Sequence, residues 1–272
     1  MARGGKLYRA TRIAVNAIGG YRLYEWLLER YVRSGPMPSH IGIILDGNRR
    51  WAGEKGLPRW LGHRYGADRL EEALHWILDL GIRTTTVYAL SIENMERRPR
   101  EEIGHILDLI RERALKLARD PVVHGKKVRV RMIGDASRLP ADVRGALEEA
   151  ERATEGYGEF HLNLAIAYGG RQEIVMAARR AAELVASGSI RPEDIDERLM
   201  SSLMYTGDLP DPDLIIRTSG ESRLSGFLLW QSAYSELVFL DVYWPEFRRI
   251  DLLRAIRTYQ NRSRRFGARG SS

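Results

Sequence analysis

Six short runs rich in Val, Ile, Leu and Thr, with helix-period stretches between them, constrain the fold of this chain more than any other feature. They lie at His40–Leu45, Thr84–Leu90, Lys127–Ile133, His161–Ala167, Asp213–Arg217 and Glu236–Asp241. Most are continuously apolar rather than alternating, as are strands buried on both faces of a parallel sheet. Helical periodicity falls at about 65–80, 100–118, 139–155, 170–187 and 192–204. This alternation predicts an α/β fold, a single open and mainly parallel six-stranded sheet flanked by helices. Gly35-Pro36-Met37-Pro38 is the clear break. It divides a helical N-terminal extension (1–37) from a main domain (38–267) and a short tail (268–272).

The 272 residues are enough to bury a core, and they carry a net charge of +7. That charge is unevenly placed. The first 37 residues hold seven Lys/Arg against two Glu, a net of +5, and residues 248–272 hold eight Arg against one Asp, a net of +7. The body is therefore at −5, which argues against a nucleic-acid-binding protein, since that function needs a basic face on the folded domain. No cysteine is present, which removes disulfides, thiolate metal sites and cysteine nucleophiles. No apolar run approaches the ~20 residues of a membrane span, and Arg12 and Arg22 interrupt any signal-peptide core. The expected location is cytoplasmic.

Ligands of open parallel sheets bind outside the carboxyl ends of the strands, so the residues just after each strand carry the chemistry. Asp46-Gly47-Asn48-Arg49-Arg50-Trp51 follows the first run, Ser91-Ile92-Glu93-Asn94 the second, and Thr218-Ser219-Gly220-Glu221-Ser222-Arg223-Leu224-Ser225 the fifth. Gly47 would let backbone approach a ligand, and Arg49, Arg50 and the following amides suit a phosphate. Asp46 cannot bind an anion directly, and its natural role there is to hold Mg²⁺ against phosphate oxygens. An Asx turn capping a helix beside solvated arginines fits the same residues. Arg217 and Arg223 with small hydroxyl residues form a second anion site, or a surface loop closed by a Glu221–Arg223 pair. Neither segment contains a P-loop or a dinucleotide fingerprint. Of six histidines only His63, in Arg59-Trp60-Leu61-Gly62-His63, lies near these clusters. Ser91, Glu93 and Asn94 either bind substrate or cap the next helix.

Four segments together resemble the cis-prenyltransferases, the undecaprenyl and dehydrodolichyl diphosphate synthases. They are His40-Ile-Gly-Ile-Ile-Leu-Asp-Gly-Asn-Arg-Arg-Trp-Ala52, Tyr88-Ala-Leu-Ser-Ile-Glu-Asn94, Ile133-Gly-Asp135 and Ile216-Arg-Thr-Ser-Gly-Glu-Ser-Arg-Leu-Ser-Gly-Phe-Leu-Leu-Trp-Gln231. The resemblance runs from about Pro38 to Gly267, with wording closer to the archaeal and eukaryotic branch. Arg49 stands where bacterial relatives have Gly, Ser222 where they have His, and Met95 where an aromatic residue is usual.

The resemblance implies repeated addition of isopentenyl diphosphate to an allylic diphosphate primer, each new double bond cis, with Mg²⁺ as cofactor. Asp46 is then the Mg²⁺-linked catalytic aspartate and Glu236 completes the metal site. Gly47, Asn48, Arg49, Arg50, Trp51, Arg59 and His63 surround the allylic diphosphate. Arg217, Arg223, Leu224 and Ser225 hold isopentenyl diphosphate. Ser91, Ile92, Glu93, Asn94, Met95 and Arg97 or Arg98 form the second substrate loop, with Asn94 at the position treated as proton acceptor.

An apolar tunnel is needed for the product. Ala89, Val130, Met132, Leu74, Ile77, Ile103, Ile106, Leu107 and Ile110 are its candidates, and they also fit a plain core. Arg265-Phe266-Gly267 resembles the tail that reaches a neighbouring subunit's site, which implies a homodimer. Residues 6–32 could lie on the inner face of a membrane or pack on the body. A non-catalytic scaffold subunit is the first rival reading, and it is disfavoured by the presence of Asp46, both Arg clusters and Glu236. A trans-prenyltransferase would need D-D-x-x-D motifs, and none occurs.

Overall fold

A computed structural model describes residues 20–267, and their side chains over 21–262. The described residues divide into two compact units, 38–247 and the two ends of the chain up to Met37 and from Arg248 onward. The elements, in chain order, are α1 (Gly20–Arg33), β1 (His40–Ile44), α2 (Asn48–Glu54), α3 (Arg59–Asp79), β2 (Thr84–Ser91), α4 (Ile92–Arg97), α5 (Arg100–Leu117), α6 (Pro121–Gly125), β3 (Val128–Ile133), α7 (Ala141–Thr154), β4 (Phe160–Tyr168), α8 (Gly170–Ala186), α9 (Glu197–Ser202), β5 (Leu214–Arg217), β6 (Glu236–Phe239) and α10 (Arg249–Gly267).

The sheet order is β3-β4-β2-β1-β5-β6, and every pairing is parallel. The expectation of a mainly parallel sheet is met in its stricter form. Every residue of β1 and β5 is buried, which accounts for their unbroken apolar character. From β1 the chain builds outward to β2 and beyond on one side, then crosses back to place β5 on the other side of β1. The strand order therefore reverses between β1 and β5, where an open sheet leaves a crevice at its carboxyl edge.

One stripe of α3 carries Gly62, Gly66, Ala73 and Ile77, all buried. The two glycines face Asn48. A Cβ on Gly62 would stand 2.2 Å from the Asn48 carbonyl oxygen, and one on Gly66 would stand 2.5 Å from the Asn48 side-chain oxygen. The short helix α2 therefore lies close against α3 at Asn48, where neither glycine has room for a side chain of its own. In the terminal unit, α1 and α10 pack together. Gln260, fully buried, donates from Nε2 to the carbonyls of Val32 (2.8 Å) and Pro36 (3.0 Å).

His40 anchors the start of β1. Its Nδ1–H donates to the Pro210 carbonyl (2.7 Å), and its Nε2 accepts from the Thr86 hydroxyl (2.8 Å). That arrangement fixes the neutral ring, and burial pushes its pKa down to about 4. The unfolded chain binds this proton near pH 6.5 while the native state refuses it until about pH 4. Stability is thus lost as pH falls through that window, by up to about 3 kcal/mol. Urea unfolding of wild type and His40→Gln at pH 7 and pH 4.5 checks this. Wild type should lose more on acidification than the variant, and equal losses would refute it.

Candidate active site

Asp46 stands two residues beyond β1, at the β1–β5 reversal. Its carboxylate accepts from the Gly47 amide (2.7 Å), from Arg217 Nη2 (2.7 Å) and, more distantly, from Arg50 Nη2 (3.4 Å). Burial works to raise this carboxyl's pKa, but the Arg217 hydrogen bond and the charges of Arg217 and Arg50 outweigh it and hold it below the usual range. Gly47 has φ +102°, and a Cβ there would stand 2.7 Å from the Tyr243 ring. Only glycine turns the chain from β1 into α2 at this point.

Arg217 is the last residue of β5 and is almost fully buried. One arm reaches Asp46. The other donates to Ser225 Oγ (2.8 Å) and to the Arg223 carbonyl. Thr218 ties the two motifs through its side chain, its hydroxyl donating to the Asp46 carbonyl at 2.7 Å. Arg50 crosses from α2 to Ser219 Oγ (2.5 Å) and Glu221 Oε1 (3.2 Å), and Glu221 also holds Arg223 (2.6 Å). The local Glu221–Arg223 pair is thus present, but within a network that joins both strand ends. Ser219, Gly220, Ser225 and Gly226 all have positive φ, a tightly wound loop whose strain falls where the ligand groups are presented.

On the other side of Asp46, Arg49 from α2, His63 from α3 and Arg98 after α4 converge on the carboxylate of Glu102. Burial, then the Arg98 charge, hold the His63 imidazole below its usual pKa against the pull of Glu102. Ser91 Oγ accepts from the Asn94 amide (3.0 Å), so Ser91 does cap α4 as well as facing the site. These groups wall a cavity of about 760 Å³. It is lined by Asp46, Gly47, Asn48, Arg49, Arg50, Arg59, His63, Ser91, Glu93, Asn94, Arg97, Arg217, Arg223 and Ser225, and by Tyr88, Ala89 and Arg98.

Five expected site residues are placed elsewhere. Trp51 turns to Glu246, donating from Nε1 at 3.3 Å, and rests on Tyr65. Ile92 is buried, Met95 packs on the core between β2, β3 and the helices, and Leu224 packs on the cluster around Tyr88 and Phe227. The expected metal pairing of Glu236 with Asp46 does not form within one chain. Glu236 opens β6 in register with Leu214, at the amino edge, whereas Asp46 lies past the carboxyl edge. Strand rise and spacing separate their backbones by roughly 15–20 Å.

Among the described residues no three His, Asp or Glu side chains gather as a metal-binding set. Asp46 alone fits Mg²⁺, which takes one or two carboxylates with phosphate oxygens and waters. Behind the polar cavity, Ala89 leads to an apolar region. Leu74, Ile103, Leu107, Ile110 and Met132 pack there on a core that includes Ile106 and Val130. Leu74 and Ile77 also line a smaller cavity of about 50 Å³ toward the amino edge. Ion pairs of Arg113 with Asp68 and Glu71, and of Lys116 with Glu71, strap α3 to α5. Residues Arg265–Gly267 end α10, but their side chains, like residues 1–19 and 268–272, lie outside those described.

The model of the undecaprenyl diphosphate synthase family (Prenyltransf) matches residues 44–267. The chain is 56% identical over 261 residues to a tritrans,polycis-undecaprenyl-diphosphate synthase (geranylgeranyl-diphosphate specific) of Methanopyrus kandleri, covering 96% of this chain and 95% of that protein. A protein of the same description from Pyrococcus horikoshii is 53% identical over 247 residues, 91% of this chain and 93% of its own. Among solved structures, lavandulyl diphosphate synthase from Lavandula x intermedia, in complex with dimethylallyl diphosphate, matches with TM-score 0.78 and 36% identity. The match covers 82% of this chain and 95% of that one.

Proposed function

Since this chain belongs to the undecaprenyl diphosphate synthase family and is a cis-prenyltransferase, we propose that it condenses isopentenyl diphosphate repeatedly onto geranylgeranyl diphosphate. The product is a long polyprenyl diphosphate, the precursor of a glycosyl carrier lipid. The observation that carries this reading is one cavity in which the Asp46 carboxylate, hydrogen-bonded to Arg217 and Arg50, stands between two sets of cationic groups. Two diphosphates and one metal ion need that arrangement. The primer specificity follows the description of the archaeal relatives.

In this reading Arg49, Arg50, Arg59 and His63 hold the primer's diphosphate, with Gly47 and Asn48 shaping the turn beneath it. Arg217, Arg223 and Ser225 hold that of isopentenyl diphosphate. Asp46 would hold Mg²⁺, which neutralises the leaving diphosphate when bound. As the primer's C–O bond stretches, the arginines stabilise charge accumulating on the departing oxygens. The alkene of isopentenyl diphosphate then attacks the carbocation-like C1, and a proton leaves from the carbon beside the new cationic centre. A neutral amide is too weak a base for that proton, so Asn94 orients the substrate while a diphosphate oxygen receives it. Incubation with labelled isopentenyl diphosphate, Mg²⁺ and dimethylallyl, farnesyl or geranylgeranyl diphosphate tests the reading. Geranylgeranyl diphosphate should give the fastest incorporation, and none with any primer would sink it.

The tail grows into the apolar region past Ala89. Ala89→Leu should shift the product ladder to shorter chains on thin-layer chromatography, because added carbons fill the entrance. An unaltered ladder would remove Ala89 from the tunnel.

No helix among the described residues is long and apolar enough to cross a membrane. The α1 helix nonetheless exposes Leu23, Trp26 and Leu27, with Arg30 stacked over Trp26. That face supports a cytoplasmic enzyme lying on the inner face of an anionic membrane, where its product would be released. The Arg265–Gly267 segment supports a homodimer on resemblance alone.

A further inference from the structure

One buried carboxylate beside the cavity has no part in the reaction just described. Glu102 sits in the first turn of α5, is 7% exposed, and is not among the residues lining the cavity. Three groups from three elements converge on its Oε1. His63 Nε2 on α3 lies at 3.1 Å, Arg98 Nη1 just after α4 at 3.1 Å, and Arg49 Nε on α2 at 3.4 Å. All three partners line the cavity. Arg98 Nη1 is also 3.2 Å from His63 Nε2, so these two cavity-lining partners of Glu102 contact each other as well.

A carboxylate that substrate does not touch, but whose three partners it does, acts through them. Two guanidiniums against one carboxylate leave the cluster cationic, so it can still attract a diphosphate. We infer that Glu102 is a positioning residue that holds Arg49, His63 and Arg98 as a preformed cradle for the diphosphate of the allylic primer. The identity of the primer rests on the prenyl-transfer reading; the cradle's affinity for diphosphate does not. Glu102 ties α2, α3 and the α4–α5 junction at one atom, so its loss frees three walls of the site together.

Glu102→Gln keeps the shape and removes the charge. The expected result is an allylic KM raised about tenfold, with the KM for isopentenyl diphosphate within about twofold of wild type. Inorganic diphosphate, titrated calorimetrically into the full chain, should bind about tenfold more weakly. A residue that merely opposed the ligand's charge would give tighter diphosphate binding on substitution. One that merely supported the fold would leave both KM values unchanged. Either result overturns the inference. If the Gln variant does not fold, Glu102→Asp carries the same test, with a smaller rise confined to the primer. Arg98→Gln with Glu102→Gln should be little worse than Arg98→Gln alone, since the two act as a unit. Wild type that incorporates no isopentenyl diphosphate, yet binds diphosphate in a Glu102-dependent way, would defeat the prenyl-transfer reading and leave this one standing.

Discussion

Asp46→Asn is expected to lower turnover at saturating substrates by at least about a thousandfold while leaving the fold intact. The carboxylate has two tasks at the β1–β5 reversal. In the proposed reading it supplies the anionic oxygen that Mg²⁺ would need, and its contacts with Arg217 and Arg50 align their arms between the two diphosphates. Asn keeps one acceptor for Arg217 but carries no charge, so geometry is largely retained and metal affinity is not. The residue lies past the strand rather than in it, and His40–Ile44 keeps its full burial. The melting temperature should therefore move by only a few degrees. Rapid-quench turnover with labelled isopentenyl diphosphate, alongside circular dichroism, separates the two effects. Turnover within about tenfold of wild type would remove Asp46 from the centre of the reaction.

Arg217→Gln should cost roughly a hundredfold or more in kcat/KM for isopentenyl diphosphate. One guanidinium bridges Asp46 and Ser225 from a nearly sealed position, so its removal loosens both the metal-side carboxylate and the loop that carries Arg223. Arg217→Lys should not rescue it, because one ammonium on a flexible stem cannot span the two acceptors in a fixed plane. The pH profile gives a second readout. Arg217 is the chief group holding the Asp46 carboxyl low, so without it that pKa rises. The acid limb of activity should then move to higher pH, and an unshifted limb would show that Asp46 does not depend on this arginine.

Much of the fold is legible in the sequence because buried parallel strands write themselves as apolar runs. The boundaries move for local reasons. Lys127 has φ +52°, so β3 begins at Val128. Asp213 adjoins β5, its N–H donating to the His40 carbonyl (3.0 Å), while its carboxylate accepts from Ser39 N (2.6 Å), Ser39 Oγ (2.7 Å) and His40 N (3.1 Å). The helix expected at 192–204 splits into a 3₁₀ turn at Pro192–Asp194 and the short α9, which Asp196 caps.

In the site, the Asp46 and Arg217 motifs are readable because each directly follows a strand. Glu102 is not, since in sequence it is an ordinary acidic residue in the first turn of a helix, and only folding brings Arg49 and His63 to it. The Gly62 and Gly66 contacts with Asn48 are equally silent, being a matter of helix separation. Glu236 lies apart from Asp46 within one chain for a reason available beforehand. A residue that opens a strand of a parallel sheet lies at the edge remote from every carboxyl end.

The position of β5 beside β1 also governs when the site comes into being. The ion pair between Asp46 and Arg217 spans 171 residues of chain. At ribosomal elongation rates of about 5–20 residues per second, the aspartate leaves synthesis roughly 10–30 s before its arginine exists. Hairpins and helices form in microseconds, so nearly everything on the β2 side of β1 can organise first. One flank of the central strand meanwhile presents unpaired backbone to the cell, the kind of edge that invites association with other chains. Joining Asp46 to Arg217 and covering that flank of β1 are one event, so the bond at the centre of the site forms as the central strand loses its exposed edge.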